Sequence, residues 1–174
     1  MRLSTLHKQI AVEDPLAHRD AVVVLGLGNT LLGDDGVGVQ VVQRLQDGRK
    51  ILGGTRYLDG GTLSFSLLED IENTDALIVV DAAQLGEAPG TVHIYKDLEM
   101  DKFLQSKRSC SVHEVSLSEL LDMARLTGRL PARRAFVAVQ PERIDWDVEV
   151  SPSVRLGLET ACVHVRALIA RWSI

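Results

Sequence analysis

Three apolar runs in this chain each lead into aspartate, and no other feature restricts the fold as strongly. Asp34 and Asp35 follow AVVVLGLGNTLLG, Asp59 stands in TRYLDGG, and Asp81 closes ALIVVD. Runs of Val, Leu and Ile with almost no polar interruption fit parallel strands buried on both faces. Strands lying parallel in one sheet share their C-terminal edge, where open α/β sheets carry their ligand sites. The carboxylates therefore converge there despite their distance in sequence. Clustered carboxylates repel one another unless a cation or a proton relieves them. A cation site is the first expectation.

The rest of the chain suits one domain. Its 174 residues are 45% hydrophobic, enough for a substantial core, but only 4% aromatic, so that core rests on Val, Leu, Ile and Ala. A formal net charge of −5 argues against nucleic acid or an anionic membrane as a partner attracted by bulk charge. The short basic runs Lys107-Arg108 and Arg133-Arg134 read as solvated faces, with partner docking as the other reading. Cys110 and Cys162 form neither a disulfide framework nor a CxxC pair; Cys162 reads as core and Cys110 as an incidental loop thiol. The first 20 residues lack the apolar stretch of a signal peptide, and no segment approaches the roughly 18 apolar residues that span a bilayer. A soluble, reducing compartment, the cytoplasm, is expected.

Residues 1–20 are polar and unpatterned and read as a disordered tail before a single α/β domain over 21–174. Strands are expected over 21–27, 54–59, 76–81 and 136–139. Helices are expected over 35–46, from N-cap Thr62 through Ile71, over 114–126 up to Gly128, and from Ser151-Pro152 to the end. Val154, Leu158, Ala161, Cys162, Val165, Leu168, Ile169 and Trp172 give that last helix the clearest helical period in the chain. Residues 91–95 alternate like an antiparallel edge strand following its predecessor. Residues 96–110, charged and poorly patterned, read as a mobile connection: a flap leading to His113, or an ordinary solvated loop. The sum is a three-layer α/β/α sandwich with a mostly parallel, twisted sheet and one antiparallel edge strand.

Gly26 and Gly28 after a buried strand invite a dinucleotide-binding reading, but the third glycine of GxGxxG would fall on Leu31. Gly33 is followed by two aspartates that would repel a pyrophosphate, and no Gly-Lys-Ser/Thr exists. The two glycines read as a tight strand-to-loop turn.

In a doubly wound order, strands one and three are neighbours, so Asp35 and Asp81 flank the crevice where the chain reverses direction. His113, where a long connection enters a helix, supplies the nitrogen a transition-metal site lacks. Two carboxylates and an imidazole leave coordination positions open for a substrate. Each residue also has a plainer reading: Asp35 at a helix start, Asp59 in a turn, His113 on the surface with Ser111 and Glu114 as a capping box. Asp81 has the weakest of these, since a carboxylate closing an apolar strand is costly unless satisfied. His7 and His18 in the tail, His93 on the edge strand and His164 off the apolar face are weaker candidates. No Ser/His/Asp or Cys/His nucleophile arrangement is visible.

The segments VLGLGNTLLGDDGVGV, LDGGT, LIVVDAA, PGTV, SVHEVSLSELL and VAVQPERIDW resemble the [NiFe]-hydrogenase maturation proteases, in family order over about residues 22–169. The resemblance implies a phosphorylase/hydrolase-like α/β fold and an endopeptidase that trims the C-terminus of the hydrogenase large-subunit precursor. It implies that Asp35, Asp81 and His113 are the nickel-contacting, catalytic set. The Asp59-Gly60-Gly61 turn matches the segment linked with substrate discrimination, and Asp34 joins it as a recognition residue. Many members carry Glu where this chain has Asp35, one methylene shorter; another branch has Asp.

The implied nickel is cargo of the substrate, already inserted in the precursor, and no tightly held cofactor is expected. Open ligation would then act as a checkpoint, because binding energy arises only with a correctly loaded precursor. The hydrolytic water is activated either by the metal or by a carboxylate acting as general base. Two other functions are weighed: a metallochaperone or docking factor that binds the large subunit without cutting it, and a general metal-assisted peptidase with its own ion.

Overall fold

The computed structural model describes residues 21–47, 54–62, 64–106 and 112–172, the side chains of 112–116 lying outside that description. The expected tail over residues 1–20, the thiol of Cys110, and Lys107-Arg108 fall outside the described residues. The order is β1 (Val22–Leu27), a 3-10 turn (Asp34–Gly36), α1 (Val37–Asp47), β2 (Thr55–Gly61), a 3-10 turn (Phe65–Leu67), α2 (Leu68–Glu72), β3 (Ala76–Ala82), β4 (Val92–Lys96), α3 (Leu98–Ser106), α4 (Val112–Leu126), β5 (Arg133–Val139) and α5 (Pro152–Trp172).

The sheet runs β2-β1-β3-β5-β4. β1, β2, β3 and β5 are parallel, and only β4 runs against its neighbour. β4 is the antiparallel edge strand expected, but it pairs with β5, which reaches the sheet later in the chain and inserts between β3 and β4. β1 and β3 are buried along their whole length, as strands covered on both faces must be.

Alternation along each strand feeds two cores. Val22, Val24, Ile78, Val80 and Val137 meet α1 and α5, whereas Val23, Leu25, Leu77, Val79 and Phe136 meet α2, α3 and α4. The expected α5 face is buried from Val154 to Ile169, with Trp172 packed at its margin. α1 lies unusually close to the sheet. A Cβ on Gly38 would stand 2.1 Å from the Val80 carbonyl oxygen and 2.5 Å from that of Leu27. Helix and strand backbones touch there, which only glycine permits.

Three further expectations are corrected. Residues 98–106, read as part of a mobile connection, form α3, because Met100, Phe103 and Leu104 turn one face into the core. Its neighbours 107–111 lie outside the described residues. The helix before β3 is capped by Ser64 rather than Thr62: the Ser64 side chain accepts from the Ser66 amide at 3.3 Å. Arg134 is no solvated charge. It is 7% exposed and forks onto Asp101 of α3, with Nε and Nη2 donating at 3.0 and 2.6 Å.

Candidate active site

Parallel strands end together, so the loops after β1, β2, β3 and β5 meet at one edge. Asp59 pairs with Gly26 across β2 and β1, and Asp81 pairs with Ala138 across β3 and β5. The turn Asp34–Gly36 follows β1 and packs against β3. α4 enters β5 through a short connection while packed along the sheet, so it runs against the strands. Its first turn, bearing His113, therefore lies at the same edge; the imidazole itself is outside the described residues.

Asp81 is wholly buried. Leu77 and Val79 face α4, so strand alternation turns Asp81 to the same side. Its Oδ1 accepts from the adjoining Ala82 amide at 2.9 Å. Asp35 keeps 8% exposure, and its Oδ2 accepts from the Asn29 amide at 2.8 Å. Asn29 sets the curve of this loop, its Oδ1 accepting from Leu31 N at 3.0 Å and its carbonyl from Leu32 N at 3.0 Å. Gly28 makes the turn possible. Its φ is +120°, and a Cβ there would lie 1.8 Å from the Asp35 carbonyl oxygen. Gly28 is thus the tight turn expected, placed against the residue the site needs.

Asp59 is exposed and serves its own turn: Oδ1 accepts from the Gly61 amide at 2.9 Å. The Gly61 carbonyl then accepts from Gly28 N at 2.8 Å, stitching the β2 turn to the loop that carries Asp35. Gly60 is the extra residue where the register slips, and a Cβ on it would stand 2.7 Å from Leu25 and Leu27 side-chain carbons.

The sequence places Asp34 among the residues that recognise substrate. In the structure its carboxylate turns inward, 1% exposed, and is fully engaged by the segment after β5. Oδ2 accepts from Glu142 N (2.9 Å), Arg143 N (3.1 Å) and Ser151 Oγ (3.0 Å), and Oδ1 from Ser151 N (2.6 Å). Asp34 holds the 142–151 loop at the site edge. A second anchor there is Gln140, which sequence reasoning passed over. Its Oε1 accepts from Leu85 and Gly86 amides at 2.6 and 3.1 Å, fixing the loop beyond Asp81. The VAVQPE segment carried the signal; its partners 55 residues upstream did not show.

The structure thus gathers Asp35, Asp59, Asp81 and the start of α4 along one edge. Among the described residues no three His, Cys, Asp or Glu side chains are set around a single metal position. Of the other histidines, His93 sits on β4 with Nε2 3.1 Å from Glu87 Oε1, and His164 is half-buried on α5. A groove of about 730 Å³ lies between α1 and α5 beside Leu31 and Val148 and is lined by none of the three candidate ligands. Among the described residues no helix is long and apolar enough to cross a membrane.

Comparison with known proteins identifies relatives of this sequence and of this fold. The family model described as hydrogenase maturation protease matches residues 39–167. The chain is 35% identical to the hydrogenase 2 maturation protease of Escherichia coli (strain K12) over 149 residues, covering 85% of this chain and 90% of that one. It is 35% identical to the hydrogenase expression/formation protein HupM of Azotobacter chroococcum mcd 1 over 150 residues, covering 86% and 71%. Its fold is similar to that of the hydrogenase maturating endopeptidase HybD from E. coli, with TM-score 0.82 and 34% identity over 88% of this chain and 93% of that chain. The [NiFe] hydrogenase maturation protease HybD from Thermococcus kodakarensis superimposes with TM-score 0.73 at 25% identity, over 87% and 99%.

Proposed function

The chain belongs to the hydrogenase maturation protease family, and from that premise we propose that it removes a C-terminal peptide from the nickel-loaded precursor of a [NiFe]-hydrogenase large subunit. The nickel is the substrate's own. Asp35 and Asp81 supply carboxylate oxygens to it and His113 an imidazole nitrogen. These three are also the groups that serve the hydrolysis. The Asp59-Gly60-Gly61 turn discriminates among precursors.

Asp81 is the observation that supports this reading most. A carboxylate at the end of a strand buried along its whole length is costly to keep there. It stands on the α4 side of the sheet, and the first turn of α4, which carries His113, lies at the same edge. A second carboxylate, Asp35, is fixed on the turn that packs against that strand. An incoming cation is the partner that relieves such a set, and weak ligation by one protein is strengthened when the precursor completes the shell.

Intact-mass measurement of the precursor tests the reading. Incubated with this protein, nickel-loaded precursor loses a C-terminal peptide, while nickel-free precursor keeps its mass. Binding without loss of mass would favour a docking factor. Equal trimming of both precursors would remove nickel from the account.

A further inference from the structure

Beside this edge lies an apolar surface for which the cleavage site has no use. Leu31 (54% exposed), Ile144 (51%), Trp146 (79%) and Val148 (70%) project from two loops tied into one rigid unit. Leu32 bridges to Asp147 and Gly33 to Ile144. Gly33 N donates to the Asp147 carbonyl at 2.7 Å, and Asp147 N to the Leu31 carbonyl at 3.1 Å. Asp34 clamps the base of the second loop. In a chain with two tryptophans, one is held in water on an ordered loop at a large cost in exposed apolar area.

We propose that this surface docks the precursor itself, taking a segment in which an apolar or aromatic side chain stands beside Lys or Arg. The proposal rests on the proposed function for the identity of its occupant. Two observations favour that occupant. First, the surface is continuous with the candidate site: Leu31 shares the loop whose Asn29 amide holds Asp35, and Leu31 and Val148 also line the groove between α1 and α5. A chain lying across it leads from that groove to the Asp35 edge. Second, the frame is acidic. Glu142, Asp145, Asp147 and Glu149 alternate in the loop with the apolar residues, four carboxylates against two guanidinia, Arg143 within the loop and Arg155, which reaches Glu149 from α5 at 3.1 Å. Arg143 is itself spent on Asp147 at 3.0 Å. A basic rim on the partner complements that charge, while the exposed indole supplies an aromatic anchor of the kind that dominates binding energy.

Trimming kinetics on nickel-loaded precursor test this directly, using the unaltered protein, Trp146→Ala and Asp145→Lys. Both residues are exposed, so melting temperatures should stay within about 2 °C of the parent. The expected result is a KM raised about ten-fold or more in Trp146→Ala at unchanged kcat, and a rise in KM for Asp145→Lys that shrinks with added salt. A KM within about two-fold of the parent in both variants, or a fall in kcat at constant KM, would overturn the docking role while leaving the protease reading intact. Loss of self-association in Trp146→Ala, seen by sedimentation, would give the surface to a second copy instead. Absence of trimming by the unaltered protein would overturn the proposed function and, with it, the occupant named here.

Discussion

Asp34 and Ser151, 117 positions apart in the chain, are joined twice: the Ser151 amide donates to Oδ1 at 2.6 Å and its hydroxyl to Oδ2 at 3.0 Å. With the amides of Glu142 and Arg143 on the same carboxylate, this contact closes the last loop onto the site edge.

Asp34→Asn puts an NH2 group where an acceptor is needed and leaves donors of Glu142, Arg143 or the buried Ser151 unpaired. Hydrogen bonds to a charged acceptor and the cost of orphaned donors predict a loss of about 2–3 kcal/mol. A melting temperature about 5–10 °C lower checks it. Trimming should weaken as well, because the loop carrying Trp146 loosens.

Gly38→Ala tests the contact between α1 and the sheet. Its methyl group would meet backbone oxygens of Val80 and Leu27, which have no rotamer to escape into. The expected cost is about 3 kcal/mol, the upper range for overpacking, read from the urea midpoint.

Asp101→Ala strands the Arg134 guanidinium, whose side chain is 9% exposed. Removing one partner of a buried pair should cost about 3–5 kcal/mol. The double variant Asp101→Ala/Arg134→Met, which removes both charges, should recover most of that. A double-mutant cycle by urea unfolding gives the coupling, and additive single effects would contradict it.

Stability should decline in alkaline solution. Burial pushes the Cys162 thiol above its ordinary 9.0, the nearby Arg166 opposing, and pushes the Tyr57 and Tyr95 phenols above 10.0. For Tyr57 Arg166 again opposes the shift, whereas Glu87 adds to it for Tyr95. Below those ordinary values both folded and unfolded chains keep these protons, and the contribution is fully present. As pH rises through them, the unfolded chain releases protons that the folded one retains, so unfolding becomes easier. Urea midpoints should fall as pH rises above 9.0 and fall further above 10.0, and Cys162→Ala should flatten the earlier part of that fall.

Much of this was legible in the sequence because it depends on short-range pattern. Unbroken Val and Leu runs marked β1 and β3, the 3.6-residue period marked α5, and the strand ends set the edge where Asp35, Asp59 and Asp81 gather. What escaped depends on partners remote in the chain. Nothing around Arg134 announces Asp101, 33 residues earlier, so its charge read as solvated. Nothing around Asp34 announces Ser151. α3 was missed because Met100, Phe103 and Leu104 make a two-turn stripe among charges, too short to outweigh them. β5 entering between β3 and β4 is a topological choice that alternation within β4 does not encode.

The most direct test of the central claim is the intact mass of nickel-loaded precursor after incubation with Asp81→Asn, Asp35→Asn, Asp35→Glu and His113→Ala, each shown to be folded by circular dichroism. If the two carboxylates and the imidazole act on one substrate metal, Asp81→Asn, Asp35→Asn and His113→Ala leave the precursor at full mass, and Asp35→Glu still trims it. A C-terminal peptide released at the parent rate by Asp81→Asn or His113→Ala would contradict the account.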